Sequence, residues 1–163
     1  MGDFGLSYIG LIALLVLFIP NVLWARNKPE GYDALAKQEN KNLMILERVG
    51  QILTTTFVLV FRNFNIATLN SWSWWLVAAF ILLALYVACW IRYFTKGKTL
   101  ELFYGDFLGI PVPLATLPVA AFILLGIYGK VLWMIVAALI LGIGHIGIHL
   151  QHRRTLNREE GIS

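Results

Sequence analysis

Glu47 is the acidic residue that lies inside an apolar stretch long enough to cross a bilayer, and its position there calls for a chemical explanation. Gln51 and Thr54 follow it, and on a helix turning 100° per residue the three fall within an arc of about 60°. A charge within a span costs about 2.5–3.5 kcal/mol and faces protein or water rather than lipid. We therefore expect a polar stripe that either forms a site or joins two helices.

The three histidines lie close together on one later helix, at positions 145, 149 and 152. They cover the same narrow arc, and His145 and His149 lie within about two turns, or about 10 Å, of the same interface as Glu47. A carboxylate and two imidazoles at matched depth could share a proton, since histidine titrates near pH 6.5. Alternatively, His145, His149 and Glu47 could hold a transition metal with one open position. For His152 we expect a contact with lipid headgroups.

Two further polar residues belong to the same half of the predicted bundle. Asn21 lies at the end of the first apolar stretch, and Asp106 precedes a Gly-Ile-Pro-Val-Pro segment at 109–113 that weakens the start of a helix. Irregular backbone at membrane depth is tolerated where it lines a cavity. Asp106 is thus either the cap of that helix or part of the site. Taken together, the polar groups of this half predict a pocket open to the cytoplasm.

The composition places these residues in a membrane protein. Of the 163 residues, 59% are hydrophobic and 13% charged, and the mean hydropathy is +0.74, whereas soluble domains carry about 25% charged residues. We predict an all-α, five-helix membrane bundle forming a single domain over 1–163. Its spans are expected at 4–24, 33–61, 74–93, 107–128 and 131–150, with loops at 25–42 and 94–106 and a basic tail at 151–163.

The distribution of basic residues predicts the orientation of the bundle. Nine of the 13 Lys and Arg residues fall in the segments 25–42 and 94–106 and in the tail, and a tenth, Arg92, lies at the adjoining end of the third span. Basic residues are retained on the cytoplasmic side. Five spans with the N-terminus outside and the C-terminus in the cytoplasm place all ten there, in a multi-pass protein of the cell membrane.

Two classes of function fit this pattern. The first is a small transport or ligand-binding subunit whose Glu and His groups hold a small-molecule or lipid ligand, with self-association or a partner membrane subunit completing a pathway. The second is a membrane-embedded enzyme, metal-dependent or not, that acts on a lipid or other amphipathic substrate. An accessory subunit without chemistry is a third interpretation. Neither nucleotide-binding motif G-x4-G-K-[ST] nor G-x-G-x2-G occurs, and nucleic acid is not an expected partner.

Overall fold

The computed structural model describes residues 2–159 and 161, and it is helical throughout, as the sequence predicts. No strand is formed within that part of the chain. Two short 3-10 turns, Arg62–Phe64 and Ser71–Ser73, join the second and third long helices. The described residues form seven α-helices, which are α1 (Tyr8–Ala25), α2 (Tyr32–Ala36), α3 (Lys41–Val60), α4 (Trp74–Thr95), α5 (Leu100–Tyr104), α6 (Pro113–Tyr128) and α7 (Leu132–Glu159).

Four of these helices, α1, α3, α4 and α7, are long and apolar enough to cross a membrane. The apolar helix α6 has 16 residues, or about 24 Å, against about 30 Å of hydrocarbon in a bilayer. It begins at Pro113 rather than at 107 because a proline disfavours helical backbone in the residue before it, and prolines stand at 111 and 113. Val112 accordingly has a φ of 40°. Four helices are therefore long enough to span a bilayer, and α6, where the fourth of the five spans was expected, is shorter.

The other helix ends also differ from the expected bounds. The helix expected at 33–61 is divided into α2 and α3, because Asn40 caps α3 by accepting hydrogen bonds from the backbone N–H groups of Asn42 and Leu43. Helix α5 occupies part of the loop expected at 94–106. Helix α7 continues nine residues past 150 to Glu159, since no glycine or proline interrupts 148–159. Most of the expected tail is thus helical, and residues 160, 162 and 163 of it lie outside the described residues.

Glycines bring α3 and α7 into backbone contact. A Cβ atom built on Gly144 would lie 2.2 Å from the backbone nitrogen of Glu47, and one built on Gly50 would lie 2.4 Å from the Cα of Leu141. Only residues without side chains permit helices to approach this closely. The antiparallel pair fixes which residues of α3 lie level with which residues of α7. Helix α6 packs against α7, and α4 packs against α6.

Helix α1 is attached to α3 at one end of the bundle. The backbone N–H groups of Gly5 and Ser7 donate to the carbonyl oxygens of Val60 and Leu59, each at 2.9 Å. One turn further along, Gly10 lies against the carbonyl oxygen of Val58. Beyond Gly10, α1 and α3 both line a cavity inside the bundle.

Candidate functional site

Glu47 and His145 form a direct side-chain hydrogen bond between α3 and α7. Oε1 of Glu47 lies 2.5 Å from Nδ1 of His145, and the two side chains are 21% and 24% exposed. Gly144 causes this proximity, because its contact with the backbone of Glu47 leaves the next residue beside the carboxyl group. An ionised carboxylate can only accept, so His145 then donates its Nδ1–H. The contact expected from the matched depths of the two residues is present.

His149 lies one turn from His145, and their ring centroids are 4.7 Å apart. Its side chain is buried and stacks on Phe103 of α5, with centroids 5.5 Å apart and planes inclined by 29°. Nδ1 of His149 has no hydrogen-bond partner among residues 2–159 and 161. The histidine is therefore held by aromatic packing, and one of its ring nitrogens is buried without a hydrogen-bond partner among those residues.

His152 is buried, contrary to the expected contact with lipid headgroups. Its exposed fraction is 2%, its Nδ1 lies 2.7 Å from the hydroxyl of Tyr104, and its Nε2 lies 3.4 Å from Oε1 of Glu39. The short helices α2 and α5 cover this end of α7 and remove the histidine from the interface. Burial raises the pKa of Tyr104 and, together with the negative charge of Glu47, also raises the pKa of Glu39.

A cavity of about 570 Å³ lies inside the bundle, next to His145 and His149. Its walls come from α1, α3, α4, α6 and α7 together with Phe103. Asn21 and Gln51 also line it, and Nδ2 of Asn21 donates to the hydroxyl of Tyr86 at 2.8 Å. Five of the eight polar residues singled out in the sequence thus border one space, namely Asn21, Gln51, Thr54, His145 and His149. Glu47 lies behind His145 and is not part of the lining.

Asp106 is separate from this cavity. Its carboxylate accepts two hydrogen bonds from the Arg153 guanidinium, at 2.6 and 2.9 Å, and its side chain is 48% exposed. It does not cap α6 either, because that helix begins seven residues later, with Val112 at the N-cap position. Asp106 instead links the segment before α6 to the last turns of α7.

The geometry gives the metal alternative no further support. Of the residues that the structure describes, no three or more His, Cys, Asp and Glu side chains are grouped so that they could hold a metal ion. His145 directs its Nδ1 to Glu47, and the glycines near the histidines serve helix contacts: Gly144 meets Glu47, and Gly147 meets the side chain of Leu43. Glu47 and His145 are instead arranged as a hydrogen-bonded pair.

Three aromatic residues that were not singled out in the sequence line the cavity, namely Tyr86, Trp90 and Phe103. Tyr86 and Trp90 lie one turn apart on α4, and their rings meet edge to face with centroids 6.1 Å apart. Trp90 also contacts Phe103, at 5.8 Å between centroids. Aromatic residues with a polar atom usually lie at the membrane interface. A tyrosine and a tryptophan within a span, one turn apart, are therefore the sequence signal that would have indicated this wall.

Comparison with known protein families, with curated proteins and with solved structures finds no match to this chain.

Proposed function

We propose that this chain is a membrane protein that binds a small hydrophobic molecule in the cavity between α1 and α3. The observation that carries the proposal is the cavity itself, because its 570 Å³ falls within the range of about 300–1,000 Å³ typical of ligand pockets. Its wall combines many apolar side chains with a few polar ones, among them Asn21, Gln51 and His149. That combination is typical of sites that hold a ligand by apolar contact and orient it by hydrogen bonds.

The side of the bundle offers a route for entry. Phe18 of α1 and Ile52 of α3 line the cavity, yet they are 44% and 67% exposed. Both belong to helices whose surfaces would face lipid. A hydrophobic molecule dissolved in the bilayer could therefore enter between α1 and α3, on the far side of Gly10 from their attachment at Ser7.

Filling the cavity tests the proposal. We expect Thr55→Trp, which adds a large side chain to the lining, to remove an organic molecule that co-purifies with the wild-type protein in mild detergent. Val49→Trp is the matched control, because Val49 lies on the same helix, is 43% exposed and does not line the cavity. Mass spectrometry of extracts from monodisperse samples gives the occupancy. Equal occupancy in the two variants, or no occupant in the wild-type protein after purification and after incubation with bilayer extract, would refute binding.

Transport is the second candidate, favoured by the hydrogen bond between Glu47 and His145. A carboxyl and an imidazole beside the cavity could exchange a proton as the ligand moves. In proteoliposomes, ligand uptake driven by a pH gradient and lost in Glu47→Gln would indicate transport. Binding without uptake would limit the function to ligand binding.

The proposed arrangement in the cell membrane has five spans, with the N-terminus outside and the C-terminus in the cytoplasm. It is supported by the ten basic residues that this orientation retains inside, and it requires α6 to count as a span despite its length. A reporter active only in the cytoplasm should give a signal when fused after the last residue and none when inserted after Asn65. The reverse pattern would overturn the orientation.

A further inference from the structure

Three side chains of the cavity wall carry buried polar atoms without hydrogen-bond partners among the described residues. The atoms are Oγ1 of Thr54, Nε1 of Trp90 and Nδ1 of His149. Folded proteins leave few such atoms, because an unmade hydrogen bond in an apolar environment is costly. Three of the six such atoms in the described residues belong to side chains of this one cavity wall, and two of them, on Trp90 and His149, belong to rings that pack on the same residue, which indicates that an occupant supplies a polar atom there.

The three atoms are not at one place. Trp90 and His149 both pack against Phe103, with ring centroids 5.8 and 5.5 Å from it, and we call these three residues the aromatic end of the cavity. Thr54 lies on α3 beyond Gly50, which is level with Leu141. The lining of α7 extends from His149 to Leu141, a distance of about 12 Å along the helix. The cavity is therefore elongated, with a polar aromatic end and a hydroxyl toward the other end.

The chemistry of the wall restricts the occupant. Within the described part of the chain, no Lys, Arg, Asp or Glu side chain lines the cavity, and the imidazole of His145, which does line it, is already bonded to Glu47. A charged group would therefore enter the cavity without a free opposite charge and at a high desolvation cost. The indole N–H of Trp90 can only donate, and the hydroxyl of Tyr86 beside it is already bonded to Asn21 and to the carbonyl oxygen of Leu17. A ligand group placed against the indole N–H would therefore accept a hydrogen bond from it.

We infer that the occupant is a neutral lipophilic molecule with a carbonyl oxygen, which accepts from Trp90 at the aromatic end and meets His149 there. Its apolar body extends along Leu14 and Phe122 toward Thr54. This inference rests on the proposed function and names the class of its ligand. Bilayers contain two sources of such chemistry, the ester groups of neutral glycerides and the ring carbonyls of isoprenoid quinones.

Direct observation of the Trp90 indole tests the inference. Protein labelled with ¹⁵N-tryptophan, stripped of lipid in detergent micelles, is titrated separately with dioctanoylglycerol, a short-chain quinone, an alkane of matched length and octanoate. The Trp90 signal is identified by its absence in Trp90→Phe. We expect a downfield shift of its indole proton with the glyceride or the quinone, and whichever gives it identifies the source. The alkane should give no such shift, and octanoate should bind more weakly.

Variants measure the contribution of each polar atom. Trp90→Phe and His149→Phe keep an aromatic ring and remove the hydrogen-bonding nitrogen, so each should weaken binding about tenfold. Trp133→Phe is the matched control, because Trp133 is 48% exposed and lies outside the cavity wall, and its affinity should equal that of the wild-type protein. If either aromatic variant does not fold, the indole shift of the wild-type protein, compared between the carbonyl compounds and the alkane, decides the matter.

Each remaining outcome is informative. Binding of the alkane as tight as that of the carbonyl compounds, with no Trp90 shift, would overturn the ligand class and leave the cavity as a hydrophobic site. Preference for octanoate would overturn the requirement for a neutral ligand. No binding of any probe, with no co-purifying molecule, would overturn the inference and the proposed function together, and would indicate that water occupies the polar atoms.

Discussion

Gly144→Ala should strongly destabilise the protein, because the contact between α3 and α7 has no space for a methyl group. The added Cβ atom would lie 2.2 Å from the backbone nitrogen of Glu47, 2.6 Å from its Cα and 2.7 Å from the carbonyl oxygen of Leu43. Ordinary contacts begin at 3.4 Å. These neighbours are helix backbone and cannot rotate away, so the two helices must separate by about 1 Å or more.

The magnitude follows from three effects. Overpacking of a tight contact costs about 1–3 kcal/mol, and this contact is at the severe end of that range. Separation of α3 from α7 also lengthens the hydrogen bond between Glu47 and His145, and a bond to a charged group contributes about 1.5–3 kcal/mol. Alanine gains about 1 kcal/mol over glycine in helix propensity. The expected loss in the free energy of unfolding is about 3–4 kcal/mol.

Gly142→Ala is the matched control on the same helix. Its Cβ atom would lie 3.0 Å from Cγ1 of Val119, a side-chain methyl group that can shift by a few tenths of an ångström. We therefore expect a change within about 1 kcal/mol of zero, because the gain in helix propensity offsets the closer packing. Titration with a denaturing detergent, followed by circular dichroism, measures both variants. Equal stability of the two would refute the proposed backbone contact.

Three further changes test other features of the structure. Glu47→Gln should lower the free energy of unfolding by about 1 kcal/mol, because the amide still accepts a hydrogen bond from His145, while Glu47→Leu should lower it by about 3 kcal/mol; equal losses in the same titration would contradict this. The pKa of Glu39 is raised above its ordinary value of 4.5 in the folded protein. Ionisation of Glu39 therefore costs no stability below about pH 4.5, where the carboxyl is protonated in the folded and the unfolded chain, and its full cost is present above the folded pKa. Glu39→Gln should therefore gain stability over the wild-type protein as the pH increases from about 4 to 8, and a constant difference would argue against a buried carboxyl. Asp106→Asn should lower the free energy of unfolding by less than about 1 kcal/mol, because its bond to Arg153 is exposed to solvent. A larger decrease in the free energy of unfolding would show that this pair holds α6 in place.

Periodicity and hydropathy were sufficient for the parts of this molecule that depend on short stretches of sequence. The arcs of Glu47 and of the histidines, together with their matched depth, predict the contact between Glu47 and His145. Hydropathy locates both ends of α1 and α4, the end of α3 and the start of α7 to within about four residues. The start of α3 and the end of α7 lie further from their expected positions. The arcs, the depths and the hydropathy are local properties, since each follows from residues within one helix.

Other features depend on contacts between distant residues. Gln151 accepts from the backbone N–H of Asn40 and donates to the carbonyl oxygen of Gln38, which holds the break between α2 and α3, and such a contact across more than 100 residues leaves no local pattern. The burial of His152 has the same origin, because α2 and α5 have only five residues each and give no hydropathy signal. The aromatic end likewise requires the position of Phe103, on a short helix between two spans.

The bond between Glu47 and His145 also affects how the chain is made. The two residues are 98 positions apart, and at about 5–20 residues per second the ribosome needs about 5–20 seconds to synthesise the segment between them. During that time α3 can already be inserted while its carboxyl group lacks the partner that α7 will supply. Glu47 must then be protonated, remain at the membrane surface or be retained by the insertion machinery. A nascent chain that stops before α7 keeps an acidic group exposed in this way, which distinguishes it from the completed protein.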